Sequence, residues 1–143
     1  MEKLLNVLLS DLVVEYHKLQ NFHWYAKGKD FFQVHAKLEE LYNGVNGAVD
    51  EVAEMILMMD GKPLASLKDF LTTSSIKEVS NEEIKSKYIF KEVLSDFTLI
   101  LNEVKAIKKQ ADEEDNYLIS ANMDEYIKQF TKSIWMIGQV IND

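Results

Sequence analysis

The amino-acid sequence predicts an all-α protein, built as a bundle of four long helices. Three observations favour this class: apolar residues recur every three or four positions along most of the chain, Pro63 is its single proline, and it has five glycines. An all-β domain of 143 residues needs more turn-forming residues, and a chain that is 47% hydrophobic is not a disordered one. The length suits one domain, residues 1–143.

The first helix is predicted by an apolar stripe that ends in a histidine. Its members are Leu5, Leu8, Leu12, Tyr16, Leu19 and His23, at spacings of three and four residues. Gly28 ends this helix, and Asp30 is placed to cap the next one. Because the turn between the two helices is tight, they must be antiparallel neighbours.

The second helix is followed by the longest connection in the chain. The stripe of this helix comprises Leu38, Tyr42, Val45, Val49, Val52, Ile56 and Met59, and the sequence Gly61-Lys62-Pro63 ends it. Residues 64–71 are predicted to form a small connecting helix, and residues 72–79 a loop. The connection is therefore a long crossover that contains its own short helix.

Two further helices complete the bundle. The run Ser80-Asn81-Glu82-Glu83 has the form of a capping box, which predicts that the third helix begins near residue 80. The stripe of the third helix is Leu94, Phe97, Leu101, Val104, Ile107 and Ala111, and that of the fourth is Met123, Ile127, Phe130, Ile134, Ile137 and Ile141. Four such helices with one long crossover resemble the bundles of ferritin-like proteins.

Charge and composition exclude several classes of function. The chain has a formal net charge of −8, which opposes unassisted nucleic-acid binding and is compatible with cations as ligands. It has no cysteine, which excludes disulfides and thiolate metal sites. No apolar run reaches the roughly 18 residues of a membrane span, and the N-terminus lacks the pattern of a signal peptide. We therefore expect a cytoplasmic protein without a membrane partner.

Two of the three histidines are candidates for a metal site. His23 lies about five residues before the turn at Gly28, and His35 lies about seven residues after it. In an antiparallel hairpin these positions lie at similar heights and can face one another. Imidazole is the commonest transition-metal ligand in proteins. The alternative is that both are core or interface histidines, satisfied by local partners.

A polar face of the second helix supplies candidate carboxylate ligands. At about 100° per residue, four side chains fall within an arc of roughly 100°, namely those of His35, Glu39, Asp50 and Glu54. The apolar stripe of the same helix centres about 110° away, so this face points sideways from the bundle's core. Ala36, Gly44 and Gly47 lie beside it and are small enough for a second helix to approach. The alternative is a charged face that is simply solvated.

The distance along the second helix decides how these residues can share an ion. His35 and Asp50 are 15 residues apart, about 22 Å along one helix, so they cannot bind the same ion within one chain. Two copies of the helix, packed antiparallel about a two-fold axis, would bring His35 of one copy to Asp50 and Glu54 of the other. Two imidazoles with two or three carboxylates suit Fe(II), Mn(II) or Zn(II). The Glu-x-x-His motif of a site within one bundle is absent from the sequence.

Three segments carry a resemblance to a known family. They are Asn21-Phe22-His23-Trp24-Tyr25-Ala26-Lys27-Gly28, Phe31-Phe32-Gln33-Val34-His35 and Val49-Asp50-Glu51-Val52-Ala53-Glu54. With them the chain resembles the Dps family, the miniferritins. The resemblance implies hollow homo-dodecamers that oxidise Fe(II), preferably with hydrogen peroxide, at ferroxidase centres between subunits, store the Fe(III) and protect against oxidative damage.

The resemblance also implies a ligand set. His23 and His35 from one subunit would bind iron together with Asp50 and Glu54 from the other. The centre would hold one or two iron ions, for which zinc or manganese can substitute. Glu39 stands where the family usually has Asp, and its longer side chain either binds the second iron ion or displaces it.

A second departure from the family concerns DNA. Many members carry a Lys-rich N-terminal tail that binds DNA, whereas this chain begins almost directly with its first helix, so we expect no DNA binding. The main alternative to a ferroxidase is a DNA-condensing nucleoid protein on the same scaffold. A third possibility is a helical interaction module that has kept the fold and lost the metal.

Trp24, beside His23, has two interpretations. In the family an aromatic residue near the centre can donate electrons or trap radicals. Packing alone also explains a tryptophan here, and it is the interpretation that we favour. His17 lies six residues before His23, faces another direction, and is predicted to be a surface or contact residue.

Overall fold

Five α-helices make up the computed structural model, which describes residues 1–142; Asp143, the last residue of the predicted domain, lies outside this range. The helices are α1 (Glu2–Tyr25), α2 (Phe31–Met58), α3 (Leu67–Thr73), α4 (Ser86–Glu113) and α5 (Tyr117–Ile141). The four long helices form the bundle, and the short α3 lies in the crossover between α2 and α4. The predicted fold class is confirmed.

Two helical hairpins share one apolar core. Helix α1 packs mainly on α2, and α4 packs mainly on α5, while α1 also contacts α3 and α4. The predicted stripes supply about half of the core, in which the side chains of Phe22, Leu38 and Phe97 are fully buried. Phe97 meets Phe130 of α5 edge to face, with ring centroids 5.1 Å apart. Within residues 1–142, no helix has an apolar stretch long enough to cross a lipid bilayer.

Side chains of α1 hold the crossover along much of its length. Near the start of α1, Asn6 Oδ1 accepts a hydrogen bond from the backbone N–H of Leu64 at 2.8 Å. Further along, Asp11 Oδ1 accepts from the hydroxyl of Ser74 and from the backbone N–H of Ser75, both at 2.7 Å. The crossover therefore follows α1 from one end of the bundle toward the other, as it must to start α4 at the far end.

Helix α4 begins later than the capping-box motif Ser80-Asn81-Glu82-Glu83 predicts. Its first residue is Ser86, and its N-cap residue makes no side-chain capping bond. The reason is that Ile84 is bonded to the end of α1: its N–H donates to the Tyr25 carbonyl at 3.1 Å, and its carbonyl accepts from the Lys27 N–H at 3.0 Å. Since these bonds hold the backbone in a parallel bridge, the preceding residues cannot form a helical turn.

The seam between α1 and α4 buries an ion pair. Lys18 of α1, only 3% exposed, lies 2.8 Å from Asp96 Oδ2 and 2.9 Å from Glu92 Oε2, both on α4. Burial alone would lower the pKa of Lys18, but the hydrogen bonds to Asp96 and Glu92 outweigh it, and the pKa is raised. The lysine is therefore charged and joins the two hairpins.

Two further carboxyl groups in this seam each face another acid. Glu15 is completely buried beside Asp96, and burial followed by the charge of Asp96 raises the pKa of Glu15 well above its usual value. Burial and a hydrogen bond with Asp11 raise the pKa of Glu103 to about 9. A buried carboxyl that faces another acid is stable only when one of the two is protonated. At neutral pH, Glu103 is therefore protonated and donates a hydrogen bond to Asp11, and burial beside Asp96 favours the neutral form of Glu15.

Candidate metal site

His23 and His35 contact one another across the α1–α2 turn. Their rings stack, with centroids 3.6 Å apart and an interplanar angle of 15°. His23 Nδ1 lies 2.7 Å from the backbone oxygen of His35, and His35 Nδ1 lies 2.8 Å from the backbone oxygen of His23. Each imidazole is therefore held by the backbone of the residue that carries the other.

These contacts determine the tautomer of both rings. A backbone carbonyl only accepts hydrogen bonds, so each Nδ1 carries the proton and donates it. Each Nε2 then keeps its lone pair, which is the form in which imidazole binds a metal. Metal-binding histidines typically have the other ring nitrogen oriented in this way by a carbonyl or a carboxylate. Local partners thus satisfy one nitrogen of each histidine and leave the other available.

Aromatic side chains enclose the imidazole pair. Phe31 stacks on His35 with ring centroids 4.9 Å apart, and Tyr42 meets His23 edge to face at 5.3 Å. Tyr16 of α1 in turn packs edge to face against Tyr42 at 5.6 Å. These contacts restrict the rotamers of both histidines, and His23 is buried. Tyr16 and Tyr42 lie in the predicted apolar stripes, and nothing in that spacing indicates the contact of Tyr42 with His23.

Glu39 lies beside the open nitrogen of His23. Its Oε1 is 3.8 Å from His23 Nε2, which is too long for a hydrogen bond, and 56% of its side chain is exposed. Because Glu39 follows His35 by one helical turn, α2 presents both residues on the same face. The carboxylate is thus free to move toward an ion bound at the imidazoles.

Asp50 and Glu54 form a second group on α2, one helical turn apart and both exposed. A hydrogen bond with Asp50, followed by the negative charge of Asp50, raises the pKa of Glu54. Two carboxyl groups this close can hold a single cation between them. They lie about 22 Å along the helix from His35, so they do not meet the histidines within the chain.

The predicted ligands therefore fall into two separate groups. In the part of the chain that the structure describes, no three side chains of the metal-binding types come together closely enough to hold an ion. His23, His35 and Glu39 lie at the α1–α2 end of the bundle, whereas Asp50 and Glu54 lie far along α2. A second copy of α2 is needed to bring the two groups together.

The face of α2 that would meet a second copy is open. Gly44 and Gly47 are exposed, and a Cβ added at either position would have no atom within 4 Å. Nothing within the described chain requires glycine there, although glycine costs about 1 kcal/mol relative to alanine inside a helix. Close approach of another helix would explain both glycines.

The prediction that Trp24 packs in the core is wrong for the single chain. Its side chain is 65% exposed, and that of Phe32, near the start of α2, is 82% exposed. Trp24 follows His23 on α1, so when His23 faces the α1–α2 contact, Trp24 is turned outward. Exposed aromatic side chains close in sequence to His23 and His35 are an expected feature of a surface that another molecule covers. His17 is exposed and lies outside this cluster, as predicted.

Comparison with known proteins identifies the family. Residues 2–143 match the model of the ferritin-like domain. The DNA protection during starvation protein of Helicobacter pylori is 35% identical, with alignment over 94% of each chain. General stress protein 20U of Bacillus subtilis is 38% identical over 92% of this chain and 90% of its own. The chain belongs to the Dps family of ferritin-like proteins.

Solved Dps structures superpose on almost the whole chain. The Dps protein of Vibrio cholerae O1 gives a TM-score of 0.95 at 31% identity, and the superposition covers 98% of this chain and 87% of that protein. That protein is described as a member of a broad superfamily of ferritin-like diiron-carboxylate proteins. The Dps protein of Bacillus brevis gives a TM-score of 0.93 at 35% identity, and the superposition covers 98% of this chain and 93% of that protein. The arrangement of α1–α5 is that of a Dps subunit.

Proposed function

We propose that this Dps protein oxidises Fe(II) with hydrogen peroxide at centres shared between two subunits, and stores the Fe(III) inside a shell of twelve chains. Membership of the Dps family supports the general class of this function. The observation that carries the proposal is the histidine pair: the Nδ1 atoms of His23 and His35 are bound to carbonyls, and both Nε2 atoms are open.

Each centre would take ligands from both subunits. His23 and His35 of one chain would bind Fe(II) through Nε2, with Glu39 close enough to join them. Asp50 and Glu54 of the second chain would complete the centre, because the two groups are too far apart within one chain. Imidazole nitrogen and carboxylate oxygen are suitable ligands for Fe(II), and the negative carboxylates favour the more highly charged Fe(III).

The reaction consumes iron and peroxide together. Two Fe(II) ions each give one electron to hydrogen peroxide, the O–O bond breaks, and two protons are taken up to form two water molecules. The two Fe(III) ions then pass to the interior of the shell. Peroxide that accepts two electrons in this way does not form hydroxyl radicals with free iron, which is the basis of a protective role.

DNA condensation is not included in the proposal. The chain carries 24 acidic and 16 basic side chains, with a net charge of −8. Binding to phosphates depends on clusters of lysine and arginine that release counterions from DNA. A negatively charged subunit repels the phosphate backbone unless it presents such a cluster.

Mixing of two variants tests whether the centre is shared. Shells of His35→Ala chains alone, or of Asp50→Ala chains alone, should lose peroxide-driven Fe(II) oxidation. In an equal, co-assembled mixture, about a quarter of the centres would combine an intact histidine group with an intact carboxylate group from another chain. The mixture should therefore recover about a quarter of the wild-type rate, measured by the appearance of Fe(III) absorbance.

The control is His17→Ala, which changes an exposed histidine outside the cluster and should oxidise iron at the wild-type rate. If both ligand groups came from one chain, every centre in the mixture would be damaged. Absence of recovery, in shells shown by native mass spectrometry to contain both variants, would contradict the shared centre.

A further inference from the structure

The α1–α2 turn beside the histidine pair is held from outside by the residues that precede α4. Ile84 makes two backbone hydrogen bonds to the turn, one to the Tyr25 carbonyl and one from the Lys27 N–H. The side chain of Glu83 adds an ion pair to Lys27 Nζ at 2.9 Å. Since Lys27 Nζ and Glu83 are both about two-thirds exposed, this pair contributes little beside the backbone bonds.

A side-chain hydrogen bond fixes the other half of the turn. Ser86, the first residue of α4, donates its hydroxyl to Asp30 Oδ2 at 2.6 Å. Asp30 is the N-cap residue of α2, but its side chain makes no capping bond within α2. Its carboxylate is directed to α4 instead, so the sequence-based interpretation of Asp30 as a simple helix cap is incomplete.

Both attachments lie between the two histidines in the chain, one near each histidine. Tyr25 is two residues after His23, and Asp30 is five residues before His35. Each imidazole donates a hydrogen bond to the backbone carbonyl of the other histidine, so a change in the relative position of the two helix ends would break both bonds. The contacts from Ile84 and Ser86 oppose that change.

We propose that Ser86 and Asp30, together with the backbone bridge at Ile84, position His23 and His35 for metal binding. Through them, the start of α4 determines the geometry of a site to which α4 contributes no ligand. This inference rests on the proposed function, in which the two histidines bind the metal. Ser86 and Asp30 are positioning residues, because they bond to one another and neither belongs to the proposed set of ligands.

Co(II) titration of the assembled, metal-free protein tests the proposal. Co(II) binds the same types of ligand as Fe(II), and its visible absorption spectrum reports the geometry of the site. Removing the hydroxyl in Ser86→Ala should weaken Co(II) binding by about three- to tenfold. This effect is smaller than the one expected from removing a group that bonds directly to a metal ligand. The visible bands should also change, since the imidazoles adopt a different orientation.

Two comparison variants separate positioning from general destabilisation. Ser86→Thr keeps the hydroxyl and should restore both the affinity and the spectrum. Ser95→Ala makes the same change at an exposed serine on α4 and should have neither effect. Asp30→Ala should weaken Co(II) binding as much as Ser86→Ala does. The double variant should bind Co(II) no more weakly than either single variant, because both substitutions remove one and the same hydrogen bond.

The outcomes distinguish the two proposals. If wild-type protein binds Co(II) and Ser86→Ala behaves like Ser95→Ala, the positioning role is wrong while the metal site stands. If losses from Ser86→Ala and Asp30→Ala simply add, the two residues do not act through their mutual bond, and the positioning role is again wrong. If the assembled wild-type protein does not bind Co(II), both the metal site and the positioning role are overturned.

Discussion

Glu15 and Glu103 are the residues whose chemistry departs most from their usual behaviour. Both lie in the α1–α4 seam, and each faces another acid, Asp96 for Glu15 and Asp11 for Glu103. Buried oxygen atoms of Glu15, Glu103 and Asp11 have no hydrogen-bond donor within the described chain, whereas Asp96 Oδ2 contacts Lys18. Protons held between the acids supply the missing donors, so the seam is stable only while it keeps them.

The free energy of unfolding should therefore decrease as the pH rises. The pKa of Glu103 is about 9 in the folded chain and lies near 4.5 without its neighbours, so between these values the folded state binds the extra proton. The contribution of Glu103 to the free energy of unfolding is complete below about pH 4.5. Between this pH and pH 9 the contribution falls by at most about 1.4 kcal/mol per pH unit, and it falls by less where solvent screens the carboxyl.

The substitution Glu103→Gln removes this titration and retains a hydrogen-bond donor toward Asp11. Thermal unfolding midpoints at pH 6 and pH 9 should differ less for Glu103→Gln than for the wild type. Glu113→Gln, at an exposed position on the same helix, should keep the wild-type difference. Equal pH dependence in all three proteins would show that Glu103 is ionised in the folded chain at neutral pH.

At the scale of single elements, helices α2 and α4 end in the same way. In each, an aspartate occupies the left-handed position just after the helix, Asp60 with φ of 59° and Asp115 with φ of 54°. The next residue donates its N–H back into the helix, as Gly61 does to the Ile56 carbonyl at 2.8 Å. Gly61 is required by the close approach that this bond creates.

Substitutions at these two adjacent positions should have opposite effects. A Cβ at residue 61 would lie 2.7 Å from Glu2 Oε1 and 2.9 Å from Ile56 Cγ2, so Gly61→Ala should destabilise the fold by about 1–3 kcal/mol. Asp60→Gly relieves the left-handed strain and should stabilise it by about 0.5 kcal/mol. Urea unfolding of both variants measures the two effects, and destabilisation by Asp60→Gly would contradict this account.

Element boundaries were predictable where local rules decide them. The apolar stripes predicted the four long helices, and Gly28 and Gly61 marked the ends of the first two. The start of α4 was not predictable from its capping-box motif, because Ile84 is bonded to residues almost 60 positions earlier in the chain. Such long-range backbone bonds override a local capping preference and leave no trace in the nearby sequence.

In the candidate site, too, local features were predictable from the sequence and long-range contacts were not. Hairpin geometry is local, so the spacing of His23 and His35 around the turn was enough to expect that they face one another. The carbonyl partners of their Nδ1 atoms and the contact between Asp30 and Ser86 depend on three-dimensional packing that no spacing rule describes. The role of Asp50 and Glu54 stays a prediction, because it depends on a second chain.

At the scale of the whole molecule, the open face of α2 is the surface on which the proposed shell depends. The substitution Gly47→Leu fits the single chain, where no atom lies within 4 Å of the added Cβ. It would clash with a second α2 packed against this face. Wild-type protein should form a particle of about 200 kDa, twelve times the 16.6 kDa chain, and Gly47→Leu should give smaller species that do not oxidise iron.

Light scattering measures the particle mass, and circular dichroism verifies that helix content is retained. Gly138→Leu is the matched control, because Gly138 of α5 also has no atom near an added Cβ. Iron oxidation should persist in that variant, since its face carries no proposed ligand. Normal oxidation by Gly47→Leu would mean that this face of α2 does not meet a second copy.

The reciprocal bonds between His23 and His35 also affect the energetics of metal capture. An ion that must order two mobile side chains loses about 0.5–1.5 kcal/mol of affinity for each of them. Here folding has already fixed both rotamers and both tautomers, so the entropic cost is met before any ion arrives. The imidazole half of the centre is preorganised, and binding has only the carboxylates left to order.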